Sequence, residues 1–364
     1  MPFEERTKMD MRKQMILSLR GGEMNVSQAS RHYGVTRKTV RKWISRANEQ
    51  GIEELSELSR APHAIPFKTA MEKESALLHL KDLYPYWGAK ILSEILRRDY
   101  GVEIPIRTSD RILARNGRVM PRQPKQELQR FEREAPNLLY QMDFKGLPKS
   151  LGFSVLSIID DASRMCVHFS PLKDKTGASV FEALWSIFGE IGMPEMFLMD
   201  NGDCWGTSLR RSPTAFEARL WRLGIRTTHS RPAHPQTQGK VERFHRTAKL
   251  EMGKDLVNYN QAIVREACQV FRERYNWMRP HDALGGKVPG SVFTFSERKR
   301  PDKEPEALLL PNMAIRRVQP TGHISYKGKY YRIGKGLAGQ YIQIAEEDLG
   351  LRTYYSGFPM IYLP

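Results

Sequence analysis

The chain has little cysteine: only Cys166, Cys204 and Cys268 occur among its 364 residues. They are scattered and form no Cys-x-x-Cys pair, which argues against a disulfide framework and against a cysteine-based zinc site. The sequence also lacks a run of about 18 apolar residues, so it offers no candidate membrane span. The opening stretch, MPFEERTKMDMRKQ, has no apolar core of the kind found in signal peptides. We therefore expect a soluble intracellular protein in a reducing compartment.

Acidic residues are outnumbered by basic ones. The chain has 41 Asp and Glu against 58 Lys and Arg, which gives a net charge of +17 and a pI near 9.8. This balance favours an anionic partner, and nucleic acid is the first candidate. Ribosomal and membrane-surface proteins share the same balance. The length leaves room for roughly two to four domains with a sizeable core.

Helix signals predict a helix-turn-helix DNA-binding domain in residues 1–58. Asn25 caps a short helix that ends at Gly34, and a second helix runs from Thr36 to Gly51. Two short helices, a tight turn and a basic second helix are typical of DNA-binding modules. The expected core is Ala29, Val35, Val40 and Trp43, and the residues expected to face DNA are Arg37, Lys38, Arg41 and Lys42. A three-helix protein-interaction module is the alternative.

A second helical domain is predicted in residues 67–118. Its expected helices span 70–83, 88–100 and 108–116. The last of these reads as a recognition helix capped by Thr108 or Ser109. Because a long DNA site needs more than one small module, we expect two helix-turn-helix domains in tandem. Residues 119–136 are polar, basic and interrupted by proline, which predicts a linker able to follow a phosphate backbone.

The sequence changes character at Asn137, and residues 137–290 predict a catalytic core. Asp143 lies in the first predicted strand, Asp200 ends a later buried strand, and Glu242 lies on a following helix. A β-hairpin and then alternating helices and strands predict an α/β fold. Loops beyond strand ends are where such folds place their chemistry.

Carboxylates from separate segments suit a divalent metal ion. Mg²⁺ and Mn²⁺ prefer oxygen ligands, and two such ions can activate an attacking oxygen and stabilise a leaving oxygen at phosphorus. Asp143, Asp200 and Glu242 are the candidates, and spacing alone leaves their convergence open. Asp160 and Asp161 are rival carboxylates, but they occupy a DDAS turn, and we assign them a structural role.

One helix face is predicted to carry Glu242, Arg246 and Lys249, which lie at i, i+4 and i+7. A carboxylate beside two cations suits a site that holds a metal ion and a phosphate backbone together. An ordinary solvated helix with a Glu–Arg pair is the alternative.

Motifs across residues 137–289 resemble those of insertion-sequence transposases of the retroviral-integrase superfamily. They are QMDFKG with Asp143, LMDNGD with Asp200, SRPAHPQTQGKVERFHRTAKLE with Glu242, and NYNQAIVREACQVFRERYNWMRPHDALGGKVP. The resemblance implies an RNase H-like core in which the three carboxylates bind Mg²⁺ or Mn²⁺, expected as two ions. It also implies that Arg246 and Lys249 hold the DNA end, and we expect Lys240 on the same helix to contact DNA.

This chain departs from the family pattern in two respects. Residues 201–241 separate the second Asp from the Glu, a longer spacing than is usual in the family. We assign the surplus to the polar loop over 204–214, which would bulge near the active site. The front third has no His-His-Cys-Cys zinc pattern, unlike retroviral integrases. His245 lies close to Glu242, and we expect it to be structural or to face DNA.

Short alternating runs predict about five β-strands in residues 311–364, with YKGKYY as a hairpin. We expect a small SH3-like barrel, which members of the family often carry. Its basic and aromatic residues suit DNA contact: Tyr326, Lys327, Lys329, Tyr330, Tyr331 and Arg332. A barrel that docks another protein is the alternative.

The whole sequence predicts a multidomain α+β DNA transposase with helix-turn-helix modules, an RNase H-like α/β core and a C-terminal β-barrel. It would cleave the element's ends and then join the freed 3′-hydroxyl to target DNA, with no covalent protein intermediate. The expected partners are double-stranded DNA, at terminal inverted repeats and at target sites, and at least one further copy of the chain. The expected location is the bacterial cytoplasm. A DNA-binding regulator with an inactive core and a purely hydrolytic RNase H-type nuclease are the alternatives.

Overall fold

The computed structural model describes residues 7–57, 69–119, 132–145, 152–202, 205, 212–230, 239–252, 260–348 and 350–363. The chain divides into two compact units, Met1–Lys68 and Thr69–Pro364. Across the described ranges, no helix is both long enough and apolar enough to cross a membrane.

The first unit contains the predicted pair of short helices, and another helix precedes them in the chain. Its helices are α1 (Lys8–Arg20), α2 (Val26–His32) and α3 (Arg37–Gln50). Asn25 caps α2 by accepting from the backbone N–H groups of residues 27 and 28, and Thr36 caps α3 in the same manner. The buried core contains Met15, Ile16, Ala29, Val40, Trp43, Ala47 and Leu55, with Val35 partly buried against it. The predicted helix-turn-helix order is therefore confirmed.

Three further helices open the second unit: α4 (Met71–Leu83), α5 (Ala89–Tyr100) and α6 (Ile106–Arg115). They share a core built around Leu77, Trp87, Leu92 and Leu113. The cap of α6 is Pro105, so the predicted caps Thr108 and Ser109 are wrong. Proline fixes φ near the helical value and initiates the helix earlier. Ser109 is instead buried and accepts a hydrogen bond from the hydroxyl of Ser93 at 2.8 Å.

A five-stranded sheet forms the centre of the second unit, in the order β3-β2-β1-β4-β5. The strands are β1 (Tyr140–Lys145), β2 (Ser154–Asp160), β3 (Cys166–Leu172), β4 (Met196–Met199) and β5 (Arg226–His229). Strand β2 runs antiparallel to both β1 and β3, whereas β4 runs parallel to both β1 and β5. The predicted hairpin and α/β pattern are confirmed.

Helices cover both faces of this sheet. They are α7 (Gly177–Ile191), α8 (Ala215–Arg222), α9 (Gly239–Glu251) and α10 (Gln261–Glu273). Met142 and Ile158 pack with α7 and α8 on one face, while Val155 and Ile159 pack with α9 and α10 on the other. Because side chains alternate along a strand, Asp143 next to Met142 points to the α9 face.

The C-terminal strands form two sheets. The strands are β6 (Ala314–Arg317), β7 (His323–Tyr326), β8 (Lys329–Arg332), β9 (Tyr341–Glu347), β10 (Gly350–Tyr355) and β11 (Phe358–Leu363). Four pair in the order β11-β10-β9-β6, and β7 pairs with β8 alone. The predicted hairpin is confirmed: both turn residues, Lys327 and Gly328, have positive φ, as a two-residue turn of this kind requires. The predicted closed barrel is not found among the described strands, because β7 and β8 join neither edge of the larger sheet.

These C-terminal sheets pack on helix α8. Ala218 and Trp221 of α8 belong to the same apolar cluster as Tyr355 of β10. Glu304, ahead of the sheets, forms ion pairs with two arginines of α8, Arg219 and Arg222. The C-terminal strands are therefore part of the core's own packing.

Candidate active site

Asp143 lies in the central strand β1, and its side chain is 23% exposed. Its pKa is raised from 3.8 to about 7, first by burial and then by the negative charge of Asp200, with Glu242 adding a smaller effect of the same sign. Lys175 acts in the opposite direction. Asp200 and Glu242 are therefore both close enough to Asp143 for their charges to act on it.

Asp200 follows β4, the parallel neighbour of β1, so it leaves the sheet beside the strand that carries Asp143. Its Oδ1 atom accepts two hydrogen bonds, from the backbone N–H of Gly202 at 2.9 Å and from Nε1 of Trp205 at 2.6 Å. Trp205 is buried and stacks on Phe144, with ring centroids 5.0 Å apart. Asp200 is therefore held in a fixed orientation.

Glu242 lies in the first turn of α9 and is exposed. The helix buries Val241, Phe244 and Ala248 against the sheet, which leaves Glu242, Arg246 and Lys249 on an exposed face. Burial and then the charge of Lys249 lower the pKa of Lys145 at the end of β1. Lys249 thus lies on the side of α9 that faces the end of β1.

The two rival carboxylates, Asp160 and Asp161, lie at the turn between β2 and β3 and are both fully buried. Asp160 accepts hydrogen bonds from Ser163 and from the backbone N–H of Asn137. Asp161 accepts from Gln141 and forms an ion pair with Nζ of Lys240 at 2.5 Å. The structural role assigned to both aspartates is confirmed. Lys240 was expected to contact DNA, but this pairing already gives it a partner inside the fold.

Two histidines, His245 and His229, lie next to Asp143 and Asp200, respectively. His245 on α9 places Nδ1 3.7 Å from Oδ2 of Asp143 and Nε2 2.7 Å from the hydroxyl of Ser157. Burial lowers its pKa to about 4, so the ring is neutral at pH 7. The expected structural position is confirmed. His229 contacts the backbone carbonyl of Asp200 at 2.8 Å and Glu217 at 2.9 Å.

Several neighbours of the carboxylates were not identified from the sequence. Lys175 is exposed and places Nζ 5.3 Å from the centroid of the Phe144 ring. Trp205 and His229 also contact Asp200. The sequence around Asp200 reads LMDNGDCWG. The tryptophan five residues after Asp200 was the one feature from which a neighbour of this carboxylate could have been predicted.

The basic residues predicted to face DNA in the first unit are all exposed on α3: Arg37, Lys38, Arg41 and Lys42. Val40 and Trp43 of the same helix are buried, so the helix separates an apolar face from a basic one. Nζ of Lys42 lies 5.1 Å from the centroid of the Trp43 ring. Among the described residues 7–57, this basic face is not part of the apolar core of the unit.

The donor set fits a hard divalent cation. Asp143, Asp200 and Glu242 offer only oxygen atoms, and repulsion by the other two carboxylates adds to burial in raising the pKa of Asp143. A cation of charge two would offset that repulsion. In the described part of the chain, no three His, Cys, Asp or Glu side chains are gathered closely enough to hold a metal ion together.

Removing the Asp143 charge should stabilise the metal-free protein. The folded-state pKa near 7 exceeds the usual 3.8, so ionisation of Asp143 costs stability as pH rises through this range. In chelator at pH 8, Asp143→Asn should raise the unfolding free energy of the second unit by about 2–4 kcal/mol. The gain should shrink towards pH 5, where the wild-type carboxyl is largely protonated. Urea unfolding at both pH values checks this, with the exposed Asp348→Asn as control; a gain that grows towards acid would contradict it.

Family models match most of the central and N-terminal parts of the chain. An integrase core domain matches residues 133–235, and a second integrase core domain model matches residues 223–289. A helix-turn-helix domain matches residues 11–63.

Solved structures with similarity to this chain come from retroviruses. The HTLV-2 integrase catalytic core domain in complex with magnesium is 18% identical, with a TM-score of 0.34, over 44% of this chain and 97% of that one. The BIV integrase catalytic core domain is 24% identical, with a TM-score of 0.34, over 43% and 93%. The simian T-cell lymphotropic virus intasome in complex with PP2A regulatory subunit B56 gamma is 17% identical, with a TM-score of 0.38, over 79% and 97%. The chain therefore carries an integrase core domain over residues 133–289 and a helix-turn-helix domain over residues 11–63.

Proposed function

We propose that this protein is a DNA transposase that cleaves the ends of its own element and joins their 3′-hydroxyls to target DNA. The observation that carries the proposal is that Asp200, at the end of β4, and Glu242, on α9, both lie close enough to Asp143 in β1 for their charges to act on it. Three carboxylates from the central strands and α9, beside an exposed basic helix face, suit displacement at a phosphodiester.

The three carboxylates would hold Mg²⁺ or Mn²⁺, and two ions are proposed. When bound, such ions lower the pKa of an attacking water or hydroxyl and offset charge on the phosphate. The chain's own residues position these donors. The hydrogen bonds from Gly202 and Trp205 orient Asp200, and the sheet fixes Asp143. Because Asp143 binds a proton up to about pH 7, metal binding must displace that proton in more acidic solution.

DNA contacts are proposed at four places in the chain. Arg246 and Lys249 on α9 would hold the phosphates next to the reactive end, since they share the exposed face with Glu242. The exposed basic residues of α3 would read the terminal repeat: Arg37, Lys38, Arg41 and Lys42. The helical segment 69–119 is proposed as a second DNA-binding module. The basic, aromatic C-terminal hairpin is proposed as a further contact, from a small domain of SH3-like kind.

Pairing two element ends requires at least two copies of the chain, and we propose that they assemble on DNA in the bacterial cytoplasm. The two rival functions predict other products. A regulator with an inactive core would bind terminal DNA without cutting it, and a hydrolytic nuclease would cut without joining.

One assay separates the three functions. The full chain is incubated with Mg²⁺, a supercoiled plasmid and a labelled duplex ending in the inverted repeat that flanks its gene. Joined products containing label and plasmid support the transposase. Hydrolysis without joining supports the nuclease, and binding without either reaction supports the regulator.

Lys249→Glu should lower strand transfer from pre-cleaved ends by about tenfold or more at low salt, because it replaces a phosphate-binding cation by an anion. Arg243→Glu is the matched control. Arg243 is also exposed on α9, but its charge acts on Tyr275 and His281, on another side of the helix. Equal activity of the two variants would remove the DNA-holding role from Lys249.

A further inference from the structure

We propose that Trp205 is a positioning residue of the active site, which fixes the carboxylate of Asp200 for metal binding. The inference rests on the proposed function, because it needs Asp200 to be a metal ligand. The indole N–H of Trp205 donates to Oδ1 of Asp200 at 2.6 Å. Nothing in the transposase motifs quoted from the sequence assigns this residue a task.

The hydrogen bond selects one oxygen of the carboxylate. Oδ1 of Asp200 accepts from both Trp205 and the backbone N–H of Gly202. Hydrogen bonds to an ionised carboxylate are stronger than neutral ones, so two on one oxygen restrain rotation of the group. With Oδ1 engaged in this way, Oδ2 is the oxygen presented to a cation.

The aromatic ring of Trp205 connects the two strand ends that carry the aspartates. It stacks on Phe144 with ring centroids 5.0 Å apart and an interplanar angle of 9°. Phe144 directly follows Asp143 in β1, whereas Trp205 lies five residues beyond Asp200. One side chain therefore contacts Asp200 through its N–H and the neighbour of Asp143 through its ring.

Hydrogen bonds with an earlier residue, Gly202, and with a later one, Thr214, hold the backbone of Trp205 in place. Its backbone carbonyl accepts a hydrogen bond from the hydroxyl of Thr214 at 2.9 Å, and its backbone N–H donates to Gly202 at 3.3 Å. A Cβ atom at Gly202 would lie 2.8 Å from Oδ1 of Asp200 and 3.1 Å from the indole nitrogen. The close approach of indole and carboxylate therefore requires glycine at that position.

Burial alone does not account for this arrangement. Trp205 is 1% exposed, so its indole N–H needs a hydrogen-bond acceptor. For a residue that only filled the core, a backbone carbonyl would be sufficient. Here the polar atom of the ring contacts Asp200, whose charge acts on Asp143. Partners that orient a metal ligand typically change metal affinity by about 10–100-fold when they are removed.

The test separates the N–H from the ring. Trp205→Phe keeps an aromatic ring that can stack on Phe144 and removes only the donor. Trp221→Phe is the matched control, because it removes an equivalent indole hydrogen bond, to the hydroxyl of Thr227 at 3.0 Å, away from the carboxylates. Mn²⁺ affinity of the full chain is measured by calorimetric titration and by metal-induced thermal stabilisation.

We expect Trp205→Phe to weaken Mn²⁺ binding by about tenfold or more, and Trp221→Phe to leave it within about twofold. High metal concentration should then restore strand transfer by Trp205→Phe. If that variant does not fold, Trp205→Leu, whose side chain also has no hydrogen-bond donor, should show the same loss. Wild-type affinity in a folded Trp205 variant would overturn the inference. Failure of the wild-type chain to bind Mn²⁺, or binding unaffected by Asp200→Asn, would instead overturn the proposed metal site.

Discussion

Asp143→Asn, Asp200→Asn and Glu242→Gln should each reduce strand transfer at least about 1000-fold, while binding to terminal DNA stays within about twofold. Each change removes one ligand charge and keeps the side-chain size. Helix α3, which is proposed to read DNA, lies in a different compact unit from all three carboxylates, so its fold should be unaffected. Gel-based joining assays and DNA-binding titrations on the same preparations give both numbers.

The matched control for these variants is Asp161→Asn. Asp161 is buried and paired with Lys240, so its change should lower stability while activity per folded molecule falls only mildly. A triad variant with near-normal joining in Mg²⁺ would remove that residue from the site. Parallel loss of joining and of DNA binding would indicate misfolding and leave the metal role without support.

Reversing two charges on α3 should have the next largest effect. Arg37 and Arg41 are exposed one helical turn apart, so Arg37→Glu combined with Arg41→Glu replaces two attractive contacts by repulsive ones. We expect affinity for the terminal repeat to fall about 100-fold or more at moderate salt. The slope of log affinity against log salt should also decrease by roughly two units.

The control for this double variant is Lys8→Glu, an exposed lysine in the first turn of α1 of the same unit. A negative charge near a helix N-terminus is favourable, so stability should not suffer. Binding by the double variant within about threefold of wild type would contradict the DNA-reading role of α3. Equal loss in the control would show that total charge, and not the α3 surface, governs affinity.

The sequence predicted those parts of the fold that depend on local pattern. The β-like run over residues 138–146 marked β1, and the 3.6-residue period of α9 placed Glu242, Arg246 and Lys249 on one exposed face. Cap residues located α2 and α3 within about two residues, which is the usual precision of such signals.

Long-range contacts could not be predicted in this way. Lys240 reads as a free basic residue near a carboxylate, yet it pairs with Asp161, 79 residues away in the chain. Whether the C-terminal strands close into a barrel depends on which edge strands pair with each other, and strand patterns alone do not encode that pairing. The contact of Trp205 with Asp200 depends on a local turn at Gly202 that periodicity does not reveal.

Packing of the C-terminal sheets on α8 makes them and the catalytic core a single cooperative unit. The predicted boundary at residue 290 is therefore not a place where the chain can be divided without cost. Cutting there would expose Trp221 and Ala218 to water and leave two arginines of α8 without Glu304. Helix α8 begins at the residue after Thr214, and Thr214 hydrogen-bonds to Trp205. We therefore expect a destabilising change in the last strands to weaken the hydrogen bond by which Trp205 orients Asp200.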